Sequence, residues 1–254
     1  MKRTFVSLLA LALTALIGCD RQDPTTQDSA ASPAATPVKR PTAPATAASD
    51  SRPRIAFLGD SLTAGYGLEA EQAFPAIVGK LLEKEGMPVH VLNAGVSGDT
   101  TAGGLRRIDW VLRQKPDVVV IGLGGNDGLR ALQPTASEEN LRKIVQECRE
   151  AGASVLLLGM LIPPNYGPEY VTQFRDVYPR LAAELAVPLV PFLLEGVGGD
   201  PKLNLPDGIH PTAEGHQRVA QTVLPYLKPL VAQERQESAG AATRPAAAAP
   251  AELR

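Results

Sequence analysis

Ser61, Asp207 and His210 are the side chains in this sequence whose types and spacing fit nucleophilic catalysis. A serine hydroxyl is a weak nucleophile near neutral pH and needs a base within hydrogen-bond reach, most often histidine. The neutral imidazole must be held in one tautomer and stabilised as it becomes positive, which is the work of a carboxylate. Asp207 and His210 stand three residues apart in LPDGIHPTAEGH, so a turn there can set the carboxylate beside ring Nδ1 while Nε2 faces Ser61. Attack on an acyl carbon creates an oxyanion that needs preorganised donors, and losing one such donor typically costs about 3–4 kcal/mol. The backbone N–H groups of Ser61 and Gly95 and the side-chain amide of Asn126 could supply three. Glycines around them let the backbone come close to a substrate where a Cβ would intrude. The structural alternative for Ser61 is that it merely caps the helix that follows.

These residues lie far apart in the chain, so the elements between them must bring them together. Five apolar runs read as strands: residues 55–58, 89–95, the Val-rich start of 117–127, 154–160 and 187–192. Helix-compatible stretches alternate with them near 72–85, 101–114, around Cys148, at 170–186 and after Pro211. That alternation predicts a parallel, doubly wound α/β sheet with helices on both faces. Ligands bind in such folds at the strand-to-helix edge. The loops on that edge carry Gly59-Asp60-Ser61, Asn93-Ala94-Gly95 and Gly124-Gly125-Asn126-Asp127, and LPDGIHPTAEGH lies beyond the last strand. Ser137 is expected to cap the Cys148 helix and Pro211 to start the last one, where its missing N–H is harmless. Asp60 and Asp127 are read as hydrogen-bonding these loops rather than acting on substrate. His216 shares a helix face with Val219, Ala220 and Val223 and is read as structural, while His90 points to the side of its strand opposite Val89 and Val91. The Pro-rich segment LIPPNYGPEY (161–170), apolar and stiffened by Pro163 and Pro164, is expected to line an acyl groove.

The two ends have a different character from residues 53–231, which have the size of one domain. Lys2-Arg3, an apolar run over residues 5–17 and Gly18-Cys19 describe a secretory signal in residues 1–18, with a run too short for an ordinary membrane span. Leu16-Ile17-Gly18-Cys19 resembles the lipobox of bacterial lipoproteins, whose cysteine is lipidated. Residues 19–52 are dominated by Pro, Ala, Thr and Ser and read as a disordered tether, and residues 232–254 as a disordered tail. With Cys19 assigned to lipid, Cys148 has no disulfide partner, and its place on a helical face with Leu141, Ile144 and Val145 makes it an inert buried thiol. The expected location is the bacterial cell envelope, anchored in a membrane and facing the periplasm. Asp20 after Cys19 resembles the inner-membrane retention signal of enteric lipoproteins.

GDSLTAGYGL, NAGVSGDT, GGNDGLR, PPNYG, PFLLEGV and DGIHPTAEG, in that order, resemble the motif blocks of the SGNH, or GDSL, hydrolase family. Within it they are most similar to the bacterial multifunctional thioesterase/arylesterase/lysophospholipase group, over residues 54–228. The resemblance places Ser61, Gly95, Asn126 and His210 at the four eponymous positions and Asp207 as the third member of the triad. It implies a three-layer α/β/α sandwich on a five-stranded parallel sheet, flavodoxin-like in topology, with no metal and no cofactor. It also implies acyl transfer to Ser61, proton delivery by His210 to the leaving alcohol or thiol, and hydrolysis of the acyl-enzyme. Pro206 departs from the pattern, standing beside Asp207 where a polar residue is expected.

Other classes are disfavoured. A net charge of −2 gives no electrostatic reason for nucleic-acid binding. GLGGND lacks the final glycine of a dinucleotide fingerprint, and no G-x-x-x-x-G-K or G-x-S-x-G occurs. Three histidines without H-E-x-x-H or paired cysteines give no metal site. The expected protein is therefore a monomeric serine esterase acting on lipophilic esters or thioesters. The alternatives are an O-deacetylase of envelope polysaccharide and a non-catalytic binding lipoprotein.

Overall fold

The computed structural model describes residues 50–243, with side chains through Gly240. The signal segment, Cys19, most of the tether and the end of the tail lie outside the described residues. The elements run β1 (Arg54–Gly59), α1 (Ser61–Ala64), α2 (Phe74–Lys84), β2 (His90–Gly95), α3 (Thr101–Leu112), β3 (Val118–Gly122), α4 (Gly125–Leu129), α5 (Pro134–Glu150), β4 (Ser154–Leu158), α6 (Pro168–Arg175), α7 (Val177–Leu185), β5 (Leu189–Val190) and α8 (Ala213–Thr243). Short 3-10 turns cover Ala70–Gln72 and Pro164–Tyr166. Among the described residues no helix is long and apolar enough to cross a membrane.

The five strands are parallel in the order β2-β1-β3-β4-β5. β1 and β3 are buried almost throughout, as their runs of Ile, Phe, Leu and Val require when helices cover both faces. α2 packs with α8, and α5 packs with α3 and α7, giving the two helical layers around the sheet. The chain leaves β1 toward β2 on one side and returns to β3 on the other, so the strand order reverses beside β1. That reversal opens the crevice where doubly wound folds bind ligands.

The strand ends explain how this crevice is built. Gly59 pairs with Gly95 on one side and with Gly122 on the other, so three neighbouring strands end in glycine on one rung. A Cβ on Gly59 would overlap the Thr63 side chain, and one on Gly95 would overlap the Ala64 backbone. The bare rung lets α1 lie directly on the strand ends, and this carries Ser61 back over the sheet edge.

Several boundaries differ from the sequence expectation. β5 has two residues rather than six, because Pro188 and Pro191 flank it and cannot donate to a ladder. The expected helix over 170–186 is two helices that meet at Asp176. α5 begins at Pro134, which takes the first-turn position, and Ser137 is inside the helix with its hydroxyl on Asp127 Oδ1 (3.0 Å). Pro211 does not open α8 but forms a bridge with Asn204, and the Thr212 hydroxyl accepts from Gly215 N–H instead. The segment after Val231 is not a disordered tail at its start: α8 continues to Thr243. Glu234 there accepts from the Ser154 hydroxyl at 2.7 Å, and Arg235 donates to Gly86 O at 2.7 Å. Pro225 and Pro229 are tolerated in α8 because both are on its exposed face, where freed carbonyls meet water.

Candidate active site

β1 delivers Ser61 through a tight local arrangement. Asp60 caps α1 by accepting from Leu62 N–H at 3.0 Å, and Gly65 ends the helix in the left-handed region at φ 78°. Asp60 is almost wholly buried, and burial raises its carboxyl from 3.8 to about 6 against the opposing pull of the Leu62 amide. Ser61 is therefore not the cap itself, which leaves its hydroxyl for other partners.

That hydroxyl meets His210 Nε2 at 2.8 Å, across 149 residues of sequence. His210 Nδ1 meets Asp207 Oδ2 at 2.7 Å. Asp207 Oδ1 accepts from the backbone N–H groups of His210 (3.0 Å) and Ile209 (2.9 Å). These amides, followed by the His210 ring, lower the Asp207 carboxyl to about 2, so it is an anion near neutral pH. The turn is pinned by Leu205 N–H on His210 O (2.7 Å) and by Gly208, whose φ of +71° favours glycine. Pro206 thus takes nothing from Asp207, whose oxygens are engaged by the backbone of its own turn and by the His210 ring.

The other predicted residues assemble at the same edge. Gly95 N–H donates to Asn93 Oδ1 at 3.0 Å, and Asn93 in turn donates to Thr63 O on α1 (2.9 Å). Asn126 Nδ2 donates to Asp99 O at 2.9 Å and lies 3.4 Å from Asp60 Oδ2. Two of the three expected oxyanion donors are thus held in place by internal acceptors. Asp127 ties the loops as expected, accepting from Thr101 N–H (2.9 Å), the Thr101 hydroxyl (2.6 Å) and the Ser137 hydroxyl.

Tyr66 is a site residue that the sequence reading missed, although it stands within GDSLTAGYGL. Its ring lies 4.5 Å from the His210 ring, tilted by 37°. The remaining candidates are structural. His216 accepts from Phe74 N–H at 3.1 Å, and burial, helped by His210, lowers it to about 4. His90 meets Asp50 at 2.6 Å on the edge strand, away from the site. Cys148 is buried and its thiol is pushed up to about 12 by that burial. No group of His, Cys, Asp or Glu among the described residues could hold a metal ion.

An apolar groove of about 450 Å³ runs from Leu62 and Gly125, next to Ser61 and Asn126, between Leu129, Met160, Ile162 and Phe192. Leu161, Ile162, Pro163 and Pro164 of the expected lining segment form part of its wall. The Tyr166 hydroxyl on Leu129 O (2.8 Å) and the Tyr170 hydroxyl on Leu132 O (2.7 Å) fasten that wall to α4 and the loop after it. Tyr66, Val96, Leu132, Leu161 and Ile209 are exposed, one in the connection after each strand. Of these, Leu161 and Ile209 line the groove itself and Tyr66 lies against His210, so exposed apolar surface borders the site.

The model for the GDSL-like lipase/acylhydrolase family matches residues 57–218. Esterase TesA of Pseudomonas aeruginosa is 48% identical over 178 residues, covering 70% of this chain and 89% of that protein. The Escherichia coli protein named thioesterase 1/protease 1/lysophospholipase L1 is 43% identical over 178 residues, covering 70% and 84%. A crystal structure of TesA superposes with a TM-score of 0.68 at 47% identity, covering 70% of this chain and 99% of the other. The ordered motifs, the sheet topology and these matches agree: the chain belongs to the GDSL-like lipase/acylhydrolase family, the SGNH hydrolases.

Proposed function

We propose that this protein hydrolyses carboxylic esters and thioesters of lipophilic acyl groups through an acyl-Ser61 intermediate. The observation that carries the reading is the continuous hydrogen-bonded series Asp207, His210, Ser61 at one end of an apolar groove. Ser61 Oγ attacks the acyl carbon while His210 Nε2 takes its proton, and Asp207 stabilises the imidazolium. The oxyanion is received by Ser61 N–H, Gly95 N–H and Asn126 Nδ2, the latter two shared with the internal acceptors that hold them in place. His210 then gives its proton to the leaving oxygen or sulfur, and water activated by the same ring releases the acid.

A groove of this size is within the range of about 300–1,000 Å³ typical of ligand pockets, and its apolar wall suits a hydrocarbon chain. An acetyl group would leave most of it empty, so an acyl esterase is favoured over a polysaccharide deacetylase. The names of the relatives, esterase and thioesterase/lysophospholipase, support the same class. For the cell envelope, we propose cleavage before Cys19, lipidation of that cysteine and a membrane-anchored, periplasm-facing domain. Recovery of the full-length protein in the soluble periplasmic fraction would refute the anchor.

The test of the activity is hydrolysis of p-nitrophenyl esters from acetate to palmitate by the purified protein beside Ser61→Ala. Activity that collapses in the variant and favours chains longer than acetate is expected. A folded wild type as inert as the variant would overturn the reading.

A further inference from the structure

Arg107 lies on α3 beneath the loops that hold the proposed oxyanion donors, and its side chain is only 21% exposed. Its Nη1 donates to Ala94 O (2.7 Å), Nη2 to Gly59 O (2.8 Å) and Nε to Asp99 Oδ2 (2.7 Å). Each acceptor belongs to a segment that carries or holds a donor. Ala94 C=O and Gly95 N–H belong to one peptide unit. Gly59 C=O, which also receives Val96 N–H at 3.0 Å, ends the strand that leads into Asp60-Ser61. Asp99 is the residue whose backbone oxygen receives Asn126 Nδ2.

A cation bonded to the oxygen of an amide withdraws electron density from its nitrogen and strengthens the N–H on the far side as a donor. Only a planar fork can reach three acceptors in this way, and a lysine ammonium could not reproduce it. The fork also joins the ends of β1 and β2 to the segment facing Asn126, so the donors share one rigid support.

We propose that Arg107 is a positioning residue for acyl transfer, holding and polarising the Gly95 amide and, through Asp99, fixing Asn126, so that the oxyanion site is organised before substrate arrives. The proposal rests on the esterase reading above. Its alternative is a purely structural tie between strand ends, which would lower stability without selecting the transition state.

The two are separated by assaying p-nitrophenyl butyrate hydrolysis by wild type, Arg107→Lys, Arg107→Ala and Arg106→Ala. Rates are expressed per serine titrated with a fluorophosphonate, so that unfolded molecules do not count. In Arg107→Ala, kcat is expected to fall about 10²-fold, the loss typical of one oxyanion donor. KM should stay within about threefold. Affinity for an alkyl boronic acid, which forms a tetrahedral anionic adduct on serine, should fall in step with kcat/KM while inhibition by butyrate is unchanged. Added guanidinium ion should restore part of the lost rate in Arg107→Ala. Arg107→Lys should be intermediate, and it carries the same comparison if the alanine variant does not fold. Arg106, exposed on the same helix, should be replaceable without effect. A kcat per titrated site within about threefold of wild type, or boronate and butyrate affinities that fall together, would overturn the proposal. A wild type that does not turn over, or a fully active Ser61→Ala, would instead overturn the esterase reading.

Discussion

Asp207→Asn is expected to harm turnover more than Asp207→Ala, for reasons of hydrogen-bond direction. In the native turn one carboxylate oxygen accepts two backbone N–H groups and the other accepts the His210 Nδ1–H. An asparagine has one acceptor and one donor group to place among these three donors. With its oxygen on the amides it keeps two bonds, each contributing about 1 kcal/mol net; the reverse keeps one and sets an NH2 against two N–H groups. The first orientation wins, and it presents Nδ2 to the ring. The ring must then accept at Nδ1 and carry its proton on Nε2, which leaves no lone pair for the Ser61 proton. A wrong tautomer of this kind lowers kcat on the order of 10⁴-fold, or about 5 kcal/mol. Alanine imposes no tautomer. The Asp207 side chain is 38% exposed, so water can enter and accept the Nδ1 proton. The loss for alanine should be nearer about 10²-fold, the low end for a positioned proton-transfer group. The assay is kcat/KM for p-nitrophenyl butyrate at pH 8, with circular dichroism to establish folding. An asparagine variant as active as the alanine variant, or more so, would refute this account of the turn.

His216 and Asp60 should oppose each other in acid. Burial holds His216 down at about 4 against 6.5 unfolded, so stability is lost as pH falls through that window; burial holds Asp60 up at about 6 against 3.8, so stability is gained as pH falls through it. Relative to wild type, His216→Asn should raise the urea midpoint on going from pH 6.5 to 4.5 and Asp60→Asn should lower it; parallel profiles would refute both assignments. Tyr66→Phe should keep full turnover, whereas Tyr66→Ala should lose roughly two- to fivefold in kcat as the imidazolium loses the face of a ring, about 0.5–1 kcal/mol. In Gly95→Ala the new Cβ overlaps the Ala64 backbone, so α1 must move. The variant should lose about 1–3 kcal/mol in denaturant unfolding and most of its activity, and wild-type values for both would show that the close approach is not needed.

The fold was legible where the signal is local. Val118 to Ile121 is apolar on both faces and bounded by glycine, so a buried parallel strand follows from composition alone. The three-residue spacing of Asp207 and His210 likewise contains the geometry of their contact. What could not be read depends on distance through space. Arg107 reaches Gly59 O across 48 residues and Tyr66 covers His210 from the far end of the chain; neither partnership leaves a periodicity. Ser137 looked like a cap because serine commonly is one, but Pro134 had already started the helix and Asp127 had claimed the hydroxyl. The residues after Val231 are rich in Ala, Glu and Gln, a composition shared by tails and helices, and the decision falls to Ser154 and Gly86 on other elements.

The Ser61 to His210 bond closes over nearly the whole domain, with four of the five strands, β2 to β5, lying between its two ends. Ester cleavage is therefore a readout of complete assembly. A cut between Gly198 and Gly199, both exposed, would leave the nucleophile on one fragment and its base with α8 on the other. Each would be silent alone, and colour would return only when α8 found α2 again, making the domain a natural split reporter for whatever is fused to its halves.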